Sequence, residues 1–123
     1  MRYTLDTGAL IGMERRHQRA LAFLRTAIKN KTPLVVPTAA IAEWWRGRTD
    51  AREALLGLVT VEPFDTVLAK MVGEAMRRVR DSTLADTIVM ASAARSGGVV
   101  LTSDFDDLTR LQLHFPGVRV LEV

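Results

Sequence analysis

Cysteine is absent from the 123 residues, which excludes thiolate nucleophiles, disulfide bridges and Cys-ligated zinc and fits an intracellular protein. Histidine occurs only twice, as His17 and His114, far apart and in polar helical contexts, so both read as surface or interface residues rather than metal ligands. No apolar run approaches the ~20 residues of a membrane span. Met1 leads directly into a stretch carrying Arg2 and Asp6, where a secretory signal would place an apolar core. The expectation is therefore a cytoplasmic chain. Lysine is scarce, present only as Lys29, Lys31 and Lys70. There is no Asn-Gly hairpin signal, no internal repeat, no linker and no low-complexity segment.

What is present has ordinary globular proportions. Hydrophobic residues make up 48% and charged residues 25%, which rules out a disordered or fibrous chain, and the length suits one domain spanning 1–123. The 17 basic and 14 acidic residues leave a net charge of +3, an excess that permits nucleic acid as a partner without demanding it. All but three of the basic residues are Arg, whose planar fork matches phosphate geometry. Codon bias in an Arg-, Ala- and Val-rich proteome explains the same skew equally well.

The apolar pattern alternates short strands with helices. A half-apolar strand ends at Asp6 and turns into a short helix over 7–13, followed by a longer one over 17–29. Leu34-Val35-Val36, between two prolines, reads as a buried strand. Pro37-Thr38 opens a helix with Thr38 as its expected N-cap, running to Gly47. An amphipathic segment over 50–58 and a third strand over 59–61 precede a long helix capped by Asp65 and ending in Arg77, Arg78 and Arg80. Ser82-Thr83 begins a helix over 84–96 that is apolar nearly all round, hence buried. A fourth strand over 99–102, a short helix around Leu108 and a fifth strand over 118–123 complete the chain. Strands separated by helices imply right-handed crossovers and a parallel sheet covered on both faces, an α/β fold.

Four acids sit at places awkward for a purely structural chain. Asp6 and Asp104 each close a strand and open a helix; they are either N-caps or a pair facing one crevice at the carboxyl ends of neighbouring strands. Glu43 is the sole acid in a helix of Ala, Ile and Trp, and either pairs with Arg46 or serves the site. Asp86 lies three residues after Thr83, as a capping-box acid would, yet shares a helical face with Val89, Met90 and Ala93 and has no cation on that face. Self-repulsion would penalise the four together unless a divalent cation neutralised them. Oxygen ligands without Cys or paired His point to a hard ion, Mg2+ or Mn2+.

These residues resemble a known family. Asp6-Thr7-Gly8-Ala9-Leu10, Pro37-Thr38 through Ala42-Glu43 with Trp45-Arg46-Gly47, Ala85-Asp86, and Leu101-Thr102-Ser103-Asp104 with Asp107 are together similar, in order, spacing and chain length, to PIN-domain ribonucleases, most of all the VapC toxins of type II toxin-antitoxin pairs. Thr87 departs from the Ala common in relatives. The resemblance implies a PIN-like three-layer α/β/α domain with a five-stranded parallel sheet of order 3-2-1-4-5. It implies catalysis by Asp6, Glu43, Asp86 and Asp104, and metal binding by the same four with Asp107. Thr7 and Thr102 would act as supporting hydroxyls; local capping is the other reading of both. Asp6 and Asp104 would then hold the first ion most directly, and spacing favours Asp107 over Asp106 as the fifth acid.

The expected activity is Mg2+- or Mn2+-dependent hydrolysis of RNA phosphodiesters by an activated water. The expected partners are an RNA substrate (tRNA or rRNA), a VapB-like antitoxin and a second copy of the chain, with no membrane. Arg15, Arg16, Arg46, Arg48, Arg77, Arg78 and Arg80 are candidates for phosphate contact, since the acids alone repel RNA. Phe23, Trp44, Trp45, Met71 and Met76 could line an interface, although core packing explains them as well. The alternative is a non-catalytic RNA- or protein-binding PIN-like module with structural acids. An Asp-based phosphatase or phosphoacceptor domain fits poorly, because Gly8 stands where an Asp-x-Asp-x-Thr pattern needs its second acid.

Overall fold

A computed structural model describes residues 1–123. In chain order the elements are β1 (Tyr3–Leu5), α1 (Thr7–Glu14), α2 (Gln18–Asn30), β2 (Leu34–Pro37), α3 (Thr38–Trp44), α4 (Asp50–Leu56) and β3 (Thr60–Glu62). They continue as α5 (Thr66–Arg78), α6 (Leu84–Ser96), β4 (Val99–Thr102), α7 (Phe105–Arg110), a 3-10 turn (Leu111–Leu113) and β5 (Arg119–Glu122). The five strands form one sheet of order β3-β2-β1-β4-β5, every pair parallel. The expected α/β architecture and strand order are what the chain adopts.

Two apolar cores lie on opposite faces of the sheet, because alternate residues of a strand point to opposite sides. Val100 packs with Leu68 and Val72 of α5, Ile88 and Met90 of α6, and Leu108 of α7. Its neighbour Leu101 packs with Leu5 of β1, Leu10 and Met13 of α1, Leu24 of α2, and Trp44 of α3. The strands β2 and β4, which flank the central β1, are buried throughout, which explains their largely apolar sequences. The edge strand β3 is mostly exposed.

Capping follows the expected chemistry at α5 and α6, where the side chains of Asp65 and Thr83 accept the N–H of Leu68 and Asp86. It differs at α3. Helix α3 leaves β2 without an intervening loop, so Pro37 occupies the cap position, Thr38 is already helical, and no side chain caps that end. The helix also stops at Trp44, short of Gly47. Trp45 is extended, the Arg46 guanidinium donates to the carbonyls of Ala42 and Trp45 at 3.3 and 2.9 Å, and Gly47 turns the chain with φ +108°. A side chain thus satisfies the carbonyls that continued helix would have used.

Candidate active site

Strand β1 has β2 on one side and β4 on the other, so the loops leaving the carboxyl ends of β1 and β4 diverge and open a crevice between them. Asp6 follows β1 immediately. Its Oδ1 accepts the Ala9 N–H at 2.8 Å as the N-cap of α1, and its Oδ2 accepts a hydrogen bond from the Thr102 hydroxyl. Thr102, fully buried at the end of β4, also accepts the Asp104 N–H at 2.7 Å. One hydroxyl therefore ties Asp6 to the backbone of Asp104. Asp6 is a cap and a crevice residue at once.

Glu43 makes no pair with Arg46, whose guanidinium is turned to backbone carbonyls. Instead the Thr7 hydroxyl, at the first position of α1, donates to Glu43 Oε1 at 2.8 Å. The residue after Glu43 anchors α3 to α1 from its other side: Trp44 Nε1 donates to Glu14 Oε1 at 2.8 Å, while Arg52 of α4 approaches Glu14 Oε2 at 3.2 Å. This three-element brace has no signature in local sequence, because its members are separated by 30 and 8 positions and meet only in the folded chain.

Asp6, Glu43, Asp86, Asp104 and Asp107 all line one cavity of about 420 Å³, with Thr7, Gly8, Ala40, Thr83, Ala85, Val89 and Ser103. Within it, carboxylate oxygens of Asp86, Asp104 and Asp107 lie within 4.8 Å of one another; Asp6 and Glu43 share the cavity but lie outside that tightest group. Asp106 does not line it, and Asp107, which also pairs with Arg110 at 2.9 Å, does. Ser103 and Gly8, present in the sequence motifs without a site role assigned to them, line the cavity too. A Cβ at Gly8 would collide with the Ser103 side chain, so glycine lets the start of α1 approach the β4–α7 turn. Ser103 sits inside the Thr102-Ser103-Asp104 stretch, and that position was the available signal. None of the seven candidate phosphate-binding arginines lines the acidic cavity. Phe23, Trp45 and Met71 pack against the cores, Trp44 is buried in one, and Met76 remains exposed.

Like charges gathered in a crevice partly shielded from solvent hold their protons more tightly. Burial pushes the Asp6 carboxyl up to about 6, against the opposing hydrogen bonds from Thr102 and Ala9, with Asp86 and Asp104 adding repulsion. Asp86 is raised by burial and then by Asp104, Asp107 and Glu43; Asp104 is raised by loss of solvent and then by Asp107. No Lys or Arg lines the cavity; Arg110, paired with Asp107 from outside it, offsets only part of the repulsion at Asp104. Clustered carboxylates of raised proton affinity, oxygen-only and without a lining cation, fit a hard divalent ion.

The same shifts predict how the metal-free protein responds to pH. A carboxyl whose folded pKa exceeds its unfolded value binds more protons when folded, so stability falls as pH rises between the two values. For Asp6, moving from 3.8 to about 6, the penalty is at most about 3 kcal/mol at neutral pH. Asp86 and Asp104 act in the same sense. Urea titrations of the metal-free protein should therefore give lower stability at pH 7.5 than at pH 5. A protein equally stable at the two values would contradict the shifts.

The PIN-domain family model matches residues 3–112. The chain belongs to the PIN-domain family. PIN domains are nucleases that use divalent metal, so membership supports a hydrolase acting on nucleic acid and gives the acidic cavity its natural chemistry. Comparison with curated proteins finds no significant match. Among solved structures, this PIN domain is similar to a chain of VapBC2 from Rickettsia felis bound to a promoter DNA fragment, at TM-score 0.78 and 14% identity over 100% of this chain and 99% of the other. DNA-bound VapBC from Salmonella typhimurium matches at TM-score 0.77 and 17% identity, over 99% and 98% of the two chains. FitAB bound to the IR36 DNA fragment matches at TM-score 0.72 and 20% identity, over 98% and 94%. At these identities the likeness is one of fold.

Proposed function

We propose that residues 1–123 form one PIN domain that acts as a Mg2+- or Mn2+-dependent endoribonuclease, the toxin of a VapBC-type pair. The observation that carries the proposal is the convergence of five acids, from the end of β1, α3, α6, the β4–α7 turn and α7, on one cavity with no lining cation. Asp86, Asp104 and Asp107, with Asp6 and Glu43 beside them, would hold the ion. When bound, a divalent cation offsets charge on the phosphoryl oxygens and acidifies water.

The chain's own groups supply order and proton transfer. Thr102 holds the Asp6 carboxylate through Oδ2 while the Ala9 N–H holds Oδ1, so neither oxygen must be immobilised when substrate arrives. Thr7 holds one oxygen of Glu43, Oε1, in the same way. A carboxylate of raised proton affinity is a better acceptor for the proton of an attacking water at neutral pH, and Asp6 meets that description. The hydroxyls of Thr83 and Ser103 line the cavity and can donate to phosphate oxygens.

The VapBC and FitAB likenesses support a VapB-like antitoxin as partner. A homodimer, a cytoplasmic location and tRNA or rRNA as the substrate complete the proposal. The direct test is incubation with tRNA and rRNA in Mn2+, Mg2+ or EDTA. Internal cleavage should require the metal and should drop at least tenfold in Asp86→Asn or Asp104→Asn, in line with the effect of disturbing metal sites. Cleavage that persists in EDTA, or in both variants, rejects the proposal.

A further inference from the structure

Away from the acidic cavity, a second cavity of about 460 Å³ opens between α5 and the segment after α7, lined by Gly73, Glu74, Arg77, Arg78 and His114, with no hydrophobic residue among them. Cations at the end of α5 complement its dipole, yet that does not account for how they are arranged. Neither Arg77 nor Arg78 is paired with a carboxylate, although Glu74 lies at the i,i+3 and i,i+4 spacings that favour such pairs. Arg78 instead reaches a different element, its guanidinium facing His114 Nδ1 at 3.4 Å. A guanidinium can only donate, so Nδ1 accepts and the other ring nitrogen keeps its hydrogen. The imidazole is held edge-on to Phe115, with ring centroids 4.8 Å apart. Two guanidinium groups without a carboxylate partner therefore share one polar cavity with the His114 imidazole and the single carboxylate of Glu74.

We propose that this cavity is an RNA-backbone exosite, taking phosphates of the strand flanking the scissile bond. The inference rests on the endoribonuclease reading for its substrate. A protein partner would need an apolar centre for its contact, and this lining has none; polyanion binding needs unpaired guanidinium groups. Its place suits the role. Arg78 ends α5, and Thr83, five residues later, already lines the acidic cavity, so the two sites are separated by at most ~18 Å of chain across the turn. The acidic cavity repels RNA everywhere except at a bound cation. A nearby cavity in which two guanidinium groups outnumber one carboxylate supplies the affinity the acids withhold.

The test uses the full chain and a fluorescently labelled single-stranded RNA, with binding followed by anisotropy in EDTA across a range of KCl concentrations. Arg77→Gln combined with Arg78→Gln is compared with a control of equal charge loss, Arg25→Gln combined with Arg119→Gln, exposed positions that line neither cavity. The Arg77/Arg78 variant should bind about tenfold more weakly and lose about 1.4 from the slope of log K against log salt, the release expected for two phosphate contacts on a single strand. The control should change less than about twofold, as non-specific charge loss would. In Mn2+ the same pair should raise KM for a long RNA and leave kcat unaltered.

Equal binding by the two double variants overturns the exosite. So does polyglutamate binding that depends on Arg77 and Arg78 while RNA affinity does not, which would assign the cavity to an acidic protein segment. The two readings fail separately: a wild-type chain that binds RNA through Arg77 and Arg78 without cutting it in any divalent metal keeps the exosite and loses the nuclease.

Discussion

Asp6→Asn should abolish RNA cleavage while making the metal-free protein harder to unfold at neutral pH. The two effects have one origin. Asp6 is 5% exposed, and burial makes its negative charge a liability that raises its pKa to about 6. Removing the charge relieves a penalty of at most about 3 kcal/mol. Asparagine keeps a carbonyl oxygen for the Ala9 N–H, but its amide meets a Thr102 hydroxyl already accepting the Asp104 N–H, so part of the gain is lost and a net of about 1 kcal/mol is expected. Activity should fall about 10²-fold or more, the range for removing a proton acceptor. Opposed changes in stability and activity are characteristic of groups kept for function. Urea denaturation at pH 7.5 and a cleavage assay on the same preparation measure both. Undiminished cleavage ends the role of Asp6, and a large loss of stability means its charge was no burden.

The second large effect is stabilisation by the cation itself. A ligand that binds only the folded chain adds RT ln(1 + [L]/Kd), about 2.7 kcal/mol at one hundred times Kd, or roughly 10 °C in Tm for a domain of this size. Mn2+ should therefore raise Tm substantially at pH 7.5. At pH 5 the rise should shrink, because the cation must then displace protons from Asp6, Asp86 and Asp104, whose affinities for them are raised. Asp104→Asn should remove most of the rise at either pH. A non-catalytic module with purely structural acids predicts the reverse: no response to Mn2+. The melt thus separates the nuclease from that alternative without any knowledge of the RNA target.

Much of the site was legible in linear order because each acid occupies a place that local rules single out. Asp6 and Asp104 follow apolar strands, and in a parallel sheet strand ends are where loops converge. Asp86 lies on the cavity side of a helix apolar almost all round. Each acid had a local alternative, and at Glu43 that alternative was an ion pair: the same residue serves an Arg46 pair or a crevice, and i,i+3 spacing cannot choose between them. The choice was made by Arg46 turning to end α3 and by Thr7, 36 residues away in sequence, donating to Glu43. Thr7 and Thr102 were equally open between local caps and site hydroxyls, and both make their bonds across elements.

The sequence by itself determined the fold class, because strand and helix periods and the ends of apolar runs are local properties of the chain; it singled out Asp6, Glu43, Asp86 and Asp104 as candidates, and its family resemblance added the strand order and Asp107. Tertiary structure alone decided how the acids are held and grouped: Asp86, Asp104 and Asp107 as the tight set, Asp6 tied through Thr102 to the backbone of Asp104, Ser103 packed over Gly8, and α3 braced to α1 by Glu14, Trp44 and Arg52. It also separated the arginines, sending Arg46 to cap a helix and Arg77 and Arg78 to a cavity of their own. The physical reason is range. Periodicity acts over a few residues, whereas hydrogen bonds, repulsion between carboxylates and the pairing of guanidinium groups depend on distances that only the packed chain sets.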